Sequence, residues 1–251
     1  MSVTVAVIGA RGAMGTVACQ AIEAAADLAL VAQINRGDPI ERLAAAGAEV
    51  AVELTHPDAA MGHVEACVRA GVHVVVGTSG MNQAKLDTIQ DWLTEAPGVG
   101  VLVAPNFSIG AVLMMRFAAE AAPYFESVEV VELHRATKPD APSGTAQRTA
   151  ELVAAARESA GSAPLIDAST HALPGARGAD VMGVRVHSVR LHGLLAHQEV
   201  LLGSTGEVLT IRHDSLDRSS FMPGLLMAVR AVSSRPGLTV GLEDLLVDAR
   251  S

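Results

Sequence analysis

Along the first hundred residues the hydrophobic positions fall into two alternating textures. Short, nearly continuous apolar runs at 3–8, 28–34, 50–54, 72–76 and 99–104 are rich in valine, isoleucine and leucine. Strands covered on both faces read this way. Between them, alanine-rich amphipathic stretches predict helices at 13–25, 58–70 and 82–95, with Asp58 and Asn82 placed as N-caps. Strand and helix in turn predict parallel strands joined by crossover helices, an open, doubly wound, Rossmann-like sheet.

The texture changes after Pro105-Asn106-Phe107. A helix at 109–122, a strand at 128–134, a polar loop and a helix at 143–159 lead into a Gly/Pro/Ser-rich interval that ends near Gly183. Runs at 184–191, 197–202 and 208–213 then alternate apolar and polar, as strands do when one face is covered and the other is more polar. A final stretch, 219–233, reads as a helix returning to the first domain. The expected α/β chain has a Rossmann-like, parallel-sheet dinucleotide-binding domain at 1–106 plus about 215–251. An α+β substrate and oligomerisation domain with a mixed, largely antiparallel sheet is expected at 107–214. The more polar face of that second sheet is where subunits would meet.

Composition narrows the function. The chain of 251 residues is 50% hydrophobic but only 2% aromatic, with a net charge of -9. Acidity and a lack of stacking rings argue against nucleic-acid binding. Cys19 and Cys67 fall in predicted helices and read as small core residues, which suits a reducing cytosol. No basic region opens the chain as a secretory signal does, and no apolar run approaches the roughly 18 residues of a membrane span. A cytoplasmic chain without a membrane partner is expected.

Gly9-Ala10-Arg11-Gly12-Ala13-Met14-Gly15 lies where the first strand should end and the first helix begin. Glycines there let the backbone turn sharply and approach a pyrophosphate, whose charge is met by the positive helix end. At the end of the second strand, where an NAD site carries an acid for the ribose hydroxyls, stand Asn35 and Arg36. Without that carboxylate, and with Arg36 able to hold a 2′-phosphate, NADPH is expected to be preferred over NADH. Two further loops, Gly77-Thr78-Ser79 and Ala104-Pro105-Asn106-Phe107, follow the fourth and fifth strands. Both are small enough to leave room for the nicotinamide and a substrate. No aromatic residue precedes Trp92, so the nucleotide pocket is expected to rely on backbone, Arg36 and aliphatic walls.

The densest polar cluster runs from His134 to Ala146: HRATKPDAPSGTA. Ser143 reads as a helix cap, so that the amides of Gly144 and Thr145 form an anion cradle with Lys138 and Arg135 nearby. His134 is of the residue type that can exchange protons in catalysis. The nine histidines are scattered, without cysteine or carboxylate at metal spacing, and no metal is expected.

The motifs together resemble the dihydrodipicolinate reductases (4-hydroxy-tetrahydrodipicolinate reductases) of bacterial diaminopimelate and lysine biosynthesis, in their actinobacterial form. They are GARGAMG at the start, THPD at 55–58, VVGTSG at 75–80, APNFSIGAVL at 104–113, KPDAPSGTA at 138–146, LPGARGADV at 173–181, AHQEVLLG at 196–203 and IRHDSLDRSSF at 211–221. The resemblance spans essentially the whole chain, and DAPSGTA is its most specific run. It implies that Gly9 to Met14, Arg36, Gly77 to Ser79 and Ala104 to Phe107 contact the cofactor. It implies proton transfer by His134 and Lys138, and a substrate carboxylate held by Lys138, Ser143, Gly144 and Thr145. The substrate would be a cyclic imine dicarboxylate, and the assembly a homotetramer. The family usually has a second histidine where this chain has Arg135. Arginine either keeps the carboxylate-binding role by a bidentate contact or marks a paralogue acting on a related cyclic imine. A non-catalytic NADP-binding sensor is the alternative of a different class, and the retained His134 and Lys138 argue against it.

Overall fold

The structure is a computed structural model that describes residues 2–248. The chain divides into two compact units, Met1–Ile109 with Arg218–Ser251, and Gly110–Asp217.

The first unit carries a sheet of six parallel strands: β1 (Val3–Ile8), β2 (Leu28–Ile34), β3 (Val50–Glu53), β4 (His73–Val76), β5 (Gly100–Val103) and β11 (Gly237–Val240). Their order is β11-β5-β4-β3-β1-β2. Alternate residues Ala6, Ile8, Ala51, Val74, Val76, Val101 and Val103 join one core cluster with α3 (Pro57–Arg69) and α4 (Gln83–Glu95). The intervening Val5, Val7, Val52, Val75 and Leu102 are equally buried and point to the opposite side, as the two-residue period requires. Helix α1 (Ala13–Ala24) packs there with α7 (Met222–Val232), which contacts β3, β4 and β5. Burial on both faces is why β1, β3, β4 and β5 lack alternation. From β1 the chain passes to β2 on one side and then to β3 on the other. This topological switch point opens a crevice at the carboxyl ends of the strands.

The second unit has a five-stranded mixed sheet, ordered β10-β9-β6-β8-β7. Its strands are β6 (Ser127–His134), β7 (Ala179–Val181), β8 (Val184–Arg190), β9 (Ala196–Ser204) and β10 (Glu207–Ser215). Only β6 and β8 run parallel; the other three pairings are antiparallel. Helix α5 (Ile109–Ala121) precedes β6, and α6 (Gly144–Ser159) packs across β6, β7 and β8. Val128, Val130, Val184, Val186, Val200 and Leu202 are buried on the face that α6 covers. Arg157 of α6 is buried too, with its guanidinium donating to the carbonyls of Ala122 (2.9 Å) and Ala163 (2.8 Å).

Several elements differ from expectation. Helix α3 begins at Pro57, with His56 as its cap and Asp58 inside the first turn. Proline at N1 has no amide to satisfy and a helical φ, so it moves the start two residues earlier than an Asp58 cap allows. Asn82 and Ser143 do cap α4 and α6, accepting the amides of Lys85 and Ala146. The short elements α2 (Arg42–Ala45), β7, β11 and α8 (Glu243–Asp248) were not expected. No helix among the described residues is long and apolar enough to cross a membrane.

Candidate active site

The crevice of the first unit holds a cavity of about 590 Å³. It is lined by Gly9, Arg11 and Gly12 after β1, by Asn35 to Asp38 after β2, and by Thr55, His56 and His63 after β3 and on α3. The volume suits a large small-molecule ligand. Gly9 has φ +87, and a Cβ on it would stand 2.5 Å from the Leu54 carbonyl oxygen. A Cβ on Gly15 would stand 2.1 Å from the Gly9 carbonyl oxygen. The loop is therefore folded to the limit of backbone contact. No side chain caps α1, whose N-cap is Gly12, so the amides of its first turn, Ala13 and Met14 among them, face outward. Ala10 is buried.

Asn35 acts locally: its Oδ1 accepts the Arg11 amide at 2.8 Å, and its own amide donates to Asp38 Oδ2 at 2.9 Å. Asp38, which sequence reasoning missed, puts a carboxylate back into this cavity. That carboxylate is already engaged by the Asn35 amide and, at 3.3 Å, by Arg42. The guanidinium groups of Arg11 and Arg36 are exposed, and neither pairs with a carboxylate among the described residues. The expectation of a ringless pocket needs amending, because two imidazoles line it. His63 Nδ1 lies 3.2 Å from Oε1 of Glu53, a fully buried carboxylate that also accepts the Thr55 amide and hydroxyl.

The two later loops follow β4 and β5 at the same carboxyl edge. Thr78 is buried, and its Oγ1 accepts the Thr55 amide at 2.9 Å. Gly77 lies against the Phe107 ring, which a Cβ there would meet at 2.4 Å. Phe107 is a core residue, Ala104 is buried, and Asn106 Oδ1 accepts the Ser108 amide at 2.8 Å. Ser79 and Pro105 are exposed.

In the second unit, the candidate residues gather around an acid that the motifs did not single out. Glu132 is completely buried, on the face of β6 that α6 covers. Its Oε2 accepts His134 Nδ1 at 2.5 Å and Arg190 Nη1 at 3.0 Å; its Oε1 accepts Arg190 Nη2 at 2.8 Å and the Ser143 amide at 3.2 Å. Burial alone would raise the Glu132 pKa. The bonds from His134, Arg190 and Ser188, with the charge on His134, overcome it and hold the carboxyl at about 2. Lys138 is mostly buried, its Nζ held by both oxygens of Asp140 at 2.7 and 2.8 Å. Burial would raise the Asp140 pKa, and the Lys138 contact brings it below its ordinary value. Ser143 caps α6 through Oγ, at 3.2 Å from the Ala146 amide, so its hydroxyl and its amide are both engaged. Gly144 and Thr145 open the first turn of α6, and a Cβ at Gly144 would meet only open space. Arg135 is exposed, and its side chain makes no ion pair among the described residues.

One unit thus holds a polar helix start, a histidine backed by a carboxylate and a lysine, and the other a crevice of a size for a large small-molecule ligand. The sequence pattern described as "Dihydrodipicolinate reductase, N-terminus" matches residues 3–107, and that described as "Dihydrodipicolinate reductase, C-terminus" matches residues 110–246. The chain belongs to the dihydrodipicolinate reductase family.

Its relatives in the family include the 4-hydroxy-tetrahydrodipicolinate reductase of Streptomyces coelicolor, 62% identical over 96% of this chain and 97% of that protein. The Nocardia farcinica protein of the same name is 58% identical over 98% and 99%. Among solved structures, the dipicolinate-bound dihydrodipicolinate reductase from Paenisporosarcina sp. TG-14 superposes with a TM-score of 0.81 at 36% identity, covering 97% of this chain and 99% of that one. Within this dihydrodipicolinate reductase fold, sequence reasoning named His134, Lys138 and the α6 start. It missed Glu132, Asp140 and Arg190, which hold them, and Asp38, His56 and His63, which line the crevice.

Proposed function

We propose that this chain reduces 4-hydroxy-tetrahydrodipicolinate to tetrahydrodipicolinate, with loss of the hydroxyl as water, in diaminopimelate and lysine biosynthesis. The observation that carries this reading is the buried Glu132, which holds His134, the Ser143 amide at the capped start of α6 and, through Arg190, the loop of Lys138 and Asp140, in a chain of this family. A nicotinamide dinucleotide, when bound, supplies the hydride. Its phosphates suit the Gly9 to Met14 turn, with Gly77 to Ser79 and Ala104 to Phe107 along the same edge.

NADPH is preferred over NADH in this reading, because Arg11 and Arg36 are unpaired cations on the cavity wall while the Asp38 carboxylate is occupied. His134 and Lys138 supply the proton that completes the reduction. Lys138 and the α6 amides of Gly144 and Thr145 hold one substrate carboxylate, with Ser143 acting through its cap. Arg135, exposed and unpaired, takes the carboxylate-binding part of the second histidine usual in the family. The enzyme is a cytoplasmic homotetramer in which second-unit sheets pack together. The sheet face opposite α6, on which Val131, Leu133, Val189 and Leu201 lie, supports that arrangement.

The test is kcat/KM for NADPH and for NADH in an assay coupled to the synthase that makes the substrate. Turnover with at least a tenfold advantage for NADPH is expected. A folded, cofactor-binding protein that oxidises neither would end the pathway assignment, and an advantage for NADH would end the role given to Arg36.

A further inference from the structure

We propose that Glu132 is a positioning residue for proton transfer. Its carboxylate fixes His134 with Nδ1–H turned inward, leaving Nε2 as the exchanging nitrogen, and through Arg190 it braces the loop that carries Lys138. This rests on the role given to His134 and Lys138 above, and nothing in the motifs assigns it.

Residues 132 and 134 are two apart on a strand, so their side chains leave the same face as neighbours. On that face β6 is otherwise apolar, with Val128 and Val130 fully covered. A carboxylate completely buried among such neighbours persists only with a full set of donors. Glu132 has them: His134 Nδ1, both terminal nitrogens of Arg190, the Ser143 amide and the Ser188 hydroxyl. An arginine fork alone would neutralise the charge. The additional, short 2.5 Å contact to Nδ1 settles which ring nitrogen carries the fixed proton, because a carboxylate accepts and never donates. Nε2 is then the nitrogen that loses and regains a proton, the logic of an imidazole oriented by a buried acid.

The second arm runs through Arg190. Its Nη2 also donates to the Asp140 carbonyl at 2.5 Å, and the Asp140 carboxylate holds Lys138 Nζ. One acid thus braces both proton-transfer candidates. The charged and titratable groups around His134 are Glu132 beside it, Arg190 from β8, and Lys138 and Asp140 from the loop. Further along the covered face, Gln198 of β9 lies opposite Glu132 and His213 of β10 lies opposite Gln198. Glu132 is the acid that touches the His134 ring among the described residues.

Two measurements test this. In histidine-labelled wild-type protein, the ring nitrogen shifts of neutral His134 should report the Nδ1–H tautomer. That readout needs no turnover, so it stands even if the pathway assignment falls. The usual Nε2–H tautomer there would overturn the proposal. In E132Q the neutral ring should relax toward Nε2–H. kcat should fall roughly 10- to 100-fold, as when the partner that orients a reactive histidine is removed. The pH-profile limb assigned to His134 should move to lower pH, while the Kd for NADPH stays within twofold. E132D keeps the charge and should recover part of the lost kcat and return the limb toward its wild-type position. A purely structural Glu132 would instead leave the tautomer and the pH profile of E132Q unchanged, with loss of thermal stability alone.

Discussion

The two candidate sites are built on opposite plans. The crevice of the first unit presents open donors: a glycine turn at its steric limit, uncapped helix amides, and two guanidinium groups without carboxylate partners among the described residues. The cluster of the second unit is made of side chains whose charges are already answered, with Glu132 saturated and Lys138 clasped by Asp140. An open set of donors waits for a ligand that brings its own negative charge. A saturated set holds reactive groups at fixed positions and protonation states before any ligand arrives. Damage to the first site should therefore appear in cofactor affinity, and damage to the second in kcat.

The largest effect expected is at Gly15. Alanine there would put a methyl 2.1 Å from the Gly9 oxygen and 2.8 Å from the Ala10 Cα, both backbone atoms that cannot swing away. Helix α1 must then lift from the turn. Gly15→Ala should destabilise the protein by about 4 kcal/mol and weaken NADPH binding at least 100-fold. Thermal unfolding and titration calorimetry would measure both. Wild-type affinity in this variant would show that the turn is not the phosphate site and would dissolve the contrast.

The same contrast explains what the sequence made legible. Strands β1, β3, β4 and β5 stand out because both faces are covered, and the glycine turn because its spacing is local. Strand β7 has only three residues, and β11, at the edge of its sheet, is half-buried and reads GLTV, without a continuous apolar run. Glu132 was hidden for another reason. In SVEVVELH the acids at 129 and 132 look alike, yet Glu129 lies on the open face with Arg177 and His187, and Glu132 lies under α6. The available signal was parity: 132 shares the even register of Val128 and Val130, so it is a charge on the covered side. Val131 and Leu133 blur that register, and Arg190, the partner that would have justified the charge, is 58 residues away. Asp38 was overlooked because the acid expected at position 35 had shifted three residues along the same turn.

An intermediate effect follows from the saturated acid. The Glu132 pKa is about 2 in the folded protein and near the ordinary glutamate value of about 4.3 when unfolded. A depressed folded pKa contributes stability that is present above the unfolded value and lost as pH falls through the folded one. The unfolding free energy should therefore drop between about pH 4.5 and pH 2, with Glu132 responsible for up to about 3 kcal/mol. Urea midpoints at pH 7, 4 and 3 would show it. Glu132→Gln, weaker at pH 7, should lose less over the same interval. Equal acid sensitivity in both proteins would mean that the charge on Glu132 is not what ties this cluster together.

The smallest effect separates crowding from backbone conformation. Gly9 and Met182 both have positive φ, +87 and 52, but Gly9 is hemmed in by Leu54, whereas Met182 is exposed in the two-residue turn between β7 and β8. With Gly183 at φ +86, Met182 occupies the first position of a primed hairpin turn, which favours asparagine or glycine. An unbranched side chain with no local hydrogen bond to offer holds this conformation at a cost of about 1 kcal/mol. Met182→Asn should recover most of it and raise Tm by about 2–4 °C, with kcat and cofactor affinity unchanged. A loss of stability would mean that the exposed methionine is covered by another copy of the chain, and that its conformation is held by contacts that asparagine cannot make.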